Sequence, residues 1–158
     1  MGEKTFPEFA EELAHMHMKQ YNACTQVMVL TFQELLGLEN DQVLKAATGL
    51  VGGISRMKSV CGAVSGGAMA LSLKYGRGRD DLDKVEAMYY AYKPVQQFFK
   101  KFEDEFGSTN CFEIIGVDLK EANARQKWIE AGGLEKCAEL VGKAAHMVAE
   151  VLQEEEKK

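Results

Sequence analysis

The chain has 158 residues, 46% hydrophobic and 27% charged, with a formal net charge of −5. That length and composition fit one globular domain with a sizeable core and exclude a disordered chain. The acidic balance argues against a general nucleic-acid binder, which carries a basic face. There is no apolar run of about 18 residues that could span a membrane, and the opening MGEKTFPEFAEEL has no apolar signal core.

Prolines are scarce, only Pro7 and Pro94, and the long stretches between them are rich in Ala, Leu, Met, Glu and Lys. Such stretches favour helix. A first helix is expected from about Pro7 to Lys19 within an N-terminal segment 1–20, with proline in its first turn. A second follows Asn22 and sets Cys24, Val27, Met28, Thr31, Phe32 and Leu35 on one face before Gly37 ends it. A third starts at Asn40 or Asp41 and runs to Gly52-Gly53. Residues 52–59 then read as a loop carrying Arg56 and Lys58.

A fourth helix opens after Ser59, with Cys61, Val64, Ala68, Leu71 and Tyr75 on its face. Gly62, Gly66 and Gly67 are poor residues for a helix interior, so something must approach closely there. It is either a second helix or a bulky bound group. After the Gly76–Gly78 break, a fifth helix begins near Asp80 or Asp81. Val85, Met88, Tyr92, Val95, Phe99, Phe102 and Phe106 form its expected core stripe, and Pro94 should bend it. One helical turn is expected at Cys111–Ile115 and another helix from Asp118 past Trp128. The last starts near Gly133, with Leu134, Ala138, Val141, Ala145, Val148 and Leu152 facing inward. Residues 153–158 read as a frayed, solvated tail. No strand pattern survives, so the fold expected is all-α: one domain over residues 1–158, a bundle of about six to seven helices.

The chain has four cysteines: Cys24, Cys61, Cys111 and Cys137. Each lies within about a turn of an expected helix start, marked by Asn22, Ser59, Asn110 and Gly132-Gly133 respectively. Asn, Ser and Gly are favoured cap residues. A helix start carries partial positive charge and unpaired N–H groups, an environment that lowers a thiol pKa. The expected compartment is the cytoplasm, where structural disulfides are rare and several cysteines point to metal or redox chemistry. There is no C-x-x-C, which disfavours common zinc sites and thioredoxin-type chemistry.

Four thiolates from four helix starts can instead hold an iron–sulfur cluster, whose sulfurs benefit from aimed N–H groups. Gly62 and Gly66 would admit such a group close to the backbone. Arg56 and Lys58 would offset its negative charge or guide an acidic partner. Three other readings stand beside this one. The cysteines could be four inert core residues, Cys61 could form a disulfide-exchange pair with a resolving cysteine, or the chain could be an interaction module docking through its last helix. His15 and His17, two apart on a helix, face different directions and make no joint site.

The residues Tyr21-Asn22-Ala23-Cys24, Gly52-Gly53-Ile54-Ser55-Arg56-Met57, Cys61-Gly62-Ala63-Val64-Ser65-Gly66, Leu73-Lys74-Tyr75-Gly76, Cys111 and Cys137 together resemble the C-GCAxxG-C-C family of redox-active proteins. The resemblance covers the chain from about Tyr21 to Cys137. One departure is visible: the family label reads Gly-Cys-Ala, whereas Val60 precedes Cys61 and Gly62-Ala63 follow it. The family is similar to a domain of split-Soret cytochromes that carries an iron–sulfur cluster beside its haems. This implies a helical fold holding a [2Fe–2S] cluster through Cys24, Cys61, Cys111 and Cys137. No C-x-x-C-H motif is present, so the haem part does not carry over. Members are small proteins of anaerobic bacteria and archaea without a defined reaction. Electron transfer or redox sensing is therefore expected rather than substrate turnover. The expected partners are a redox protein and, as an assembly, a second copy of the chain, with no nucleic acid or membrane involved.

Overall fold

The computed structural model describes residues 2–158. Thr5 opens α1 (Phe6–Tyr21) through a capping box with Glu8, and Pro7 sits in the first turn where its missing N–H costs nothing. Asn22, at φ +53, closes α1 instead of opening the next helix. α2 (Cys24–Leu36) starts from Ala23 without a side-chain cap. α3 (Asp41–Ala46) is capped by Asn40 and passes through a 3-10 turn into the four-residue segment α4 (Val51–Ile54). α5 (Gly62–Tyr75), α6 (Val85–Phe106), α7 (Cys111–Ile115), α8 (Ala122–Glu130) and α9 (Gly133–Glu156) complete the chain.

The fold is all-α and forms one domain. The expected third helix is split into α3, a 3-10 turn and α4, which together with the one-turn α7 takes the number of helices above the six to seven expected. Among the described residues, the one extended pairing is an antiparallel bridge between Val60 and Asn110. No helix among them is long and apolar enough to cross a membrane.

α1 lies along α9, and α5 sits centrally against α2, α6 and α9. The inward faces of α2 and α9 are those the periodicity indicates: Val27, Met28 and Phe32 on one, and Ala138, Val141, Ala145, Val148 and Leu152 on the other, all buried. α6 differs. It runs unbroken through Pro94, and its core face is Pro94, Phe98 and Phe102, while Val85, Tyr92 and Phe99 are exposed. The rotation has a local cause. A Cβ on Gly67 would lie 2.3 Å from the Phe98 ring, so the bare glycine forms the hole that Phe98 fills. α6 also begins at Val85, not at Asp80 or Asp81, which belong to a separate 3-10 turn (Arg79–Asp81).

Gly66, expected near a bound group, faces α2 instead. A Cβ there would come within 2.6 Å of the Met28 Cβ and 2.8 Å of the Thr25 carbonyl oxygen. Its role is helix–helix contact. The C-terminal tail is also more ordered than expected: α9 continues to Glu156, whose carboxylate pairs with Lys74 on α5.

Because the Thr25 backbone cannot retreat as a side-chain tip can, Gly66→Ala should destabilise the fold by about 1–3 kcal/mol. Urea denaturation measures this.

Candidate functional site

Five pieces of backbone bring the cysteines together. Cys24 is the first residue of α2. Cys61 is itself the N-cap of α5, two residues later than Ser59 would have placed the helix start. Cys111 opens α7 behind Asn110, whose side chain accepts the Glu113 N–H as expected. Cys137 lies in the second turn of α9. The bridge of Val60 and Asn110 ties two of these together. The Cys61 N–H donates to the Thr109 carbonyl at 2.7 Å, and the Cys111 N–H to the Ser59 carbonyl at 2.8 Å. The Asn110 amide reinforces the bridge by donating to the Lys58 carbonyl at 2.8 Å.

The fifth piece is α4 and the residues after it. Gly52, Gly53, Ile54, Ser55 and Arg56 have φ values of 70, 73, 59, 51 and 66°, one left-handed helical turn. Its hydrogen bonds run from Ser55 N–H to Val51 O, Arg56 N–H to Gly52 O and Met57 N–H to Gly53 O, at 2.9, 3.1 and 3.2 Å. A left-handed turn costs roughly 1–2 kcal/mol for each residue bearing a Cβ, and a β-branched Ile54 is an outlier there. Strain of this kind persists only where the surroundings enforce it. Here the turn does two things. It directs the Gly52 N–H at the Cys24 sulfur, 3.4 Å away. It also passes so close to α7 that a Cβ on Gly53 would lie 2.7 Å from the Cys111 Cβ.

All four cysteines line one cavity of about 230 Å³. A water molecule takes about 30 Å³ of liquid, so the space suits a polyatomic group more than a bare ion. Apolar side chains form much of the wall, including Met18, Ile114, Leu119, Trp128 and Leu140. Among the described residues, Arg56 and Arg125 are its charged side chains, and no carboxylate lines it. Among the described residues, no three Cys, His, Asp or Glu side chains stand at the spacing of ligands to a single ion. The thiols surround a volume instead of meeting at a point.

Gly62 lines the cavity too, and a Cβ there would fall 2.1 Å from the Cys24 sulfur, so the bare α-carbon makes the seat for that thiol. Gly66 is not in the wall. Lys58 turns away, pairing with Asp118 at 2.9 Å and covering the Phe112 ring. His15 pairs with Glu135 at 2.9 Å, and the buried His17 with Thr31 at 3.1 Å, both apart from the cavity. Arg125, on α8, was not legible as a site residue, because a single arginine on a polar helix carries no sequence signal. Its Nη1 donates to the Leu119 carbonyl at 2.7 Å, which fixes it at the wall.

Cys61, Cys111 and Cys137 are not the activated thiolates that helix starts suggest. Burial pushes Cys61 and Cys137 up to about 12 and Cys111 to about 11, and the charge that Cys24 would carry adds to each rise. Desolvation of an anion exceeds the pull of a helix start. α7 is a single turn, Cys137 lies beyond the first turn of α9, and the dipole effect fades within that first turn. Disulfide exchange needs accessible thiolate, so this environment works against it. A metal deprotonates a coordinating thiol outright and removes the obstacle.

The family described as "Putative redox-active protein (C_GCAxxG_C_C)" matches residues 22–151. A protein of Archaeoglobus fulgidus, described as "Uncharacterized protein", is 27% identical over 138 residues, covering 84% of this chain and 85% of that one. No solved structure matches.

Two outcomes follow for the metal-free protein. The unfolded chain releases thiol protons near pH 8.5, whereas the folded chain holds those of Cys61, Cys111 and Cys137 to a higher pH. The folded state therefore binds more protons in that window, and stability falls as pH rises through it. Thermal melts from pH 8 to 10.5 should show the decline, and Cys61→Ser should flatten it. Gly53→Ala should cost about 2–4 kcal/mol in urea denaturation, because it adds left-handed strain to a clash with Cys111.

Proposed function

Because the chain belongs to the C-GCAxxG-C-C family of redox-active proteins, we propose that Cys24, Cys61, Cys111 and Cys137 hold an iron–sulfur cluster of the [2Fe–2S] type for electron transfer or redox sensing. The observation that carries this reading is the single cavity walled by four thiols, two arginines and no carboxylate. Four thiol donors match the ligand requirement of such a cluster. The two-iron form is the one implied by the sequence's resemblance to the cluster domain of split-Soret cytochromes. When bound, the cluster would supply one-electron redox chemistry.

The chain's own residues supply the setting. Gly52 donates its N–H to the Cys24 sulfur, and such bonds to ligand sulfur raise the potential of the centre they surround. Gly62 leaves room for that sulfur to sit against α5. Arg56 and Arg125 counter the charge of four thiolates, which would otherwise repel one another in an apolar wall. Met18, Trp128 and Leu140 limit water. Four free cysteines suit the reducing cytoplasm, and the redox partner is taken to be a second electron-transfer molecule.

Anaerobic purification tests the reading. Iron and acid-labile sulfide should appear in equal amounts, two of each per chain, with visible absorption that bleaches on adding dithionite. Each Cys→Ser variant should lose most of the colour while remaining folded by circular dichroism. Protein that stays colourless and iron-free after anaerobic incubation with iron and sulfide would refute it.

A further inference from the structure

A second cavity, of about 300 Å³, lies directly against the first. The two share Ile114, Ile115, Trp128, Cys137 and Leu140 as walls, and Cys137 is the one cysteine of the four that faces both. The outer cavity lies between α7, the end of α6 and the first turns of α9. Its volume is at the lower end of small-molecule sites, and its lining is what such sites show: mostly apolar, with a few polar groups to fix orientation. Two of the apolar residues, Phe106 and Trp128, are aromatic. The Trp128 indole is held flat because Gly133 has no Cβ, which would lie 2.1 Å from the ring.

Like the first cavity, this one carries positive charge in an acidic chain. The chain has a net charge of −5, yet the lining here includes Lys136 and Lys143 and one carboxylate, Glu139. Lys143 is only loosely engaged, 3.8 Å from the Glu105 carboxylate. Aromatic walls favour a flat conjugated ring, and two ammonium groups at the rim favour an anionic substituent on it.

We propose that this groove binds a small, planar, conjugated anion and places it beside Cys137, on the far side of that residue from the four-thiol cavity. Its use as the electron partner of the centre rests on the cluster reading, but its binding does not. The shared wall puts the compound one side chain from the thiol cavity.

Trp128 is the only tryptophan in the chain, so intrinsic fluorescence reports on this wall directly. Flavin mononucleotide and riboflavin share one ring system and differ in a phosphate. Titrating each into the full-length protein, with and without iron, separates ring from charge. Flavin mononucleotide should quench saturably. Riboflavin should bind at least about five-fold more weakly, as should flavin mononucleotide on the Lys136→Gln, Lys143→Gln double variant. No saturable quenching by flavin mononucleotide would overturn the proposal, and so would equal binding of both flavins with no change in the double variant. Binding to iron-free protein upholds the groove even if the cluster reading fails. An iron-loaded protein that binds neither flavin removes the groove alone.

Discussion

The site depends on how closely α5 can approach α2. Gly62 and Gly66 present bare α-carbons to that helix, and any side chain at either position would run into the Cys24 sulfur or the Thr25 backbone. The approach seats Cys24 against the start of α5, next to Cys61. On its other side α5 accepts the Phe98 ring over Gly67, which fixes the rotation of α6. One glycine-rich helix start thus sets both the core packing and the position of two thiols. Glycines cost helix stability, roughly 1 kcal/mol each against alanine, so their concentration here is offset by the contacts they permit.

The remaining two thiols are brought in by long-range backbone links. The bridge between Val60 and Asn110 joins segments far apart in sequence and carries Cys111 to the mouth of α5. Gly133 lets the first turn of α9 pack under Trp128, with Cys137 one turn further on. The left-handed turn at 52–56 closes the ring, and it does so in a conformation unfavourable to Ile54, Ser55 and Arg56. Such strain is retained because Gly53 is wedged against Cys111 and Gly52 donates to Cys24.

Much of the architecture is legible in the residue pattern. The faces of α2 and α9 follow directly from three- and four-residue spacing, and the Asn110 cap and the single turn at Cys111 are where the local signals put them. The misreadings have physical causes. Asn22 is as suited to a left-handed helix end as to a helix start, and the short link to α2 chose the former. The aromatic residues of α6 fit two helical faces, and only the hole at Gly67 decides between them. Gly66 could be read as room for a second helix or for a bound group, because a sequence shows that space is needed, not what fills it; the structure fills it with α2. Helix starts suggested low thiol pKa values, but burial in a mostly apolar cavity dominates. Arg125 and the groove beside Cys137 depend on tertiary contacts that no local pattern encodes.

Convergence of the four thiols on one bound group is tested most directly by alkylation footprinting. Anaerobically loaded protein would be exposed to iodoacetamide, and labelling at each cysteine followed by mass spectrometry as the bound group is oxidatively released. A shared centre predicts that Cys24, Cys61, Cys111 and Cys137 are protected together and become reactive in one concerted phase. Any of the four labelling in the loaded protein as fast as it does after release would contradict it.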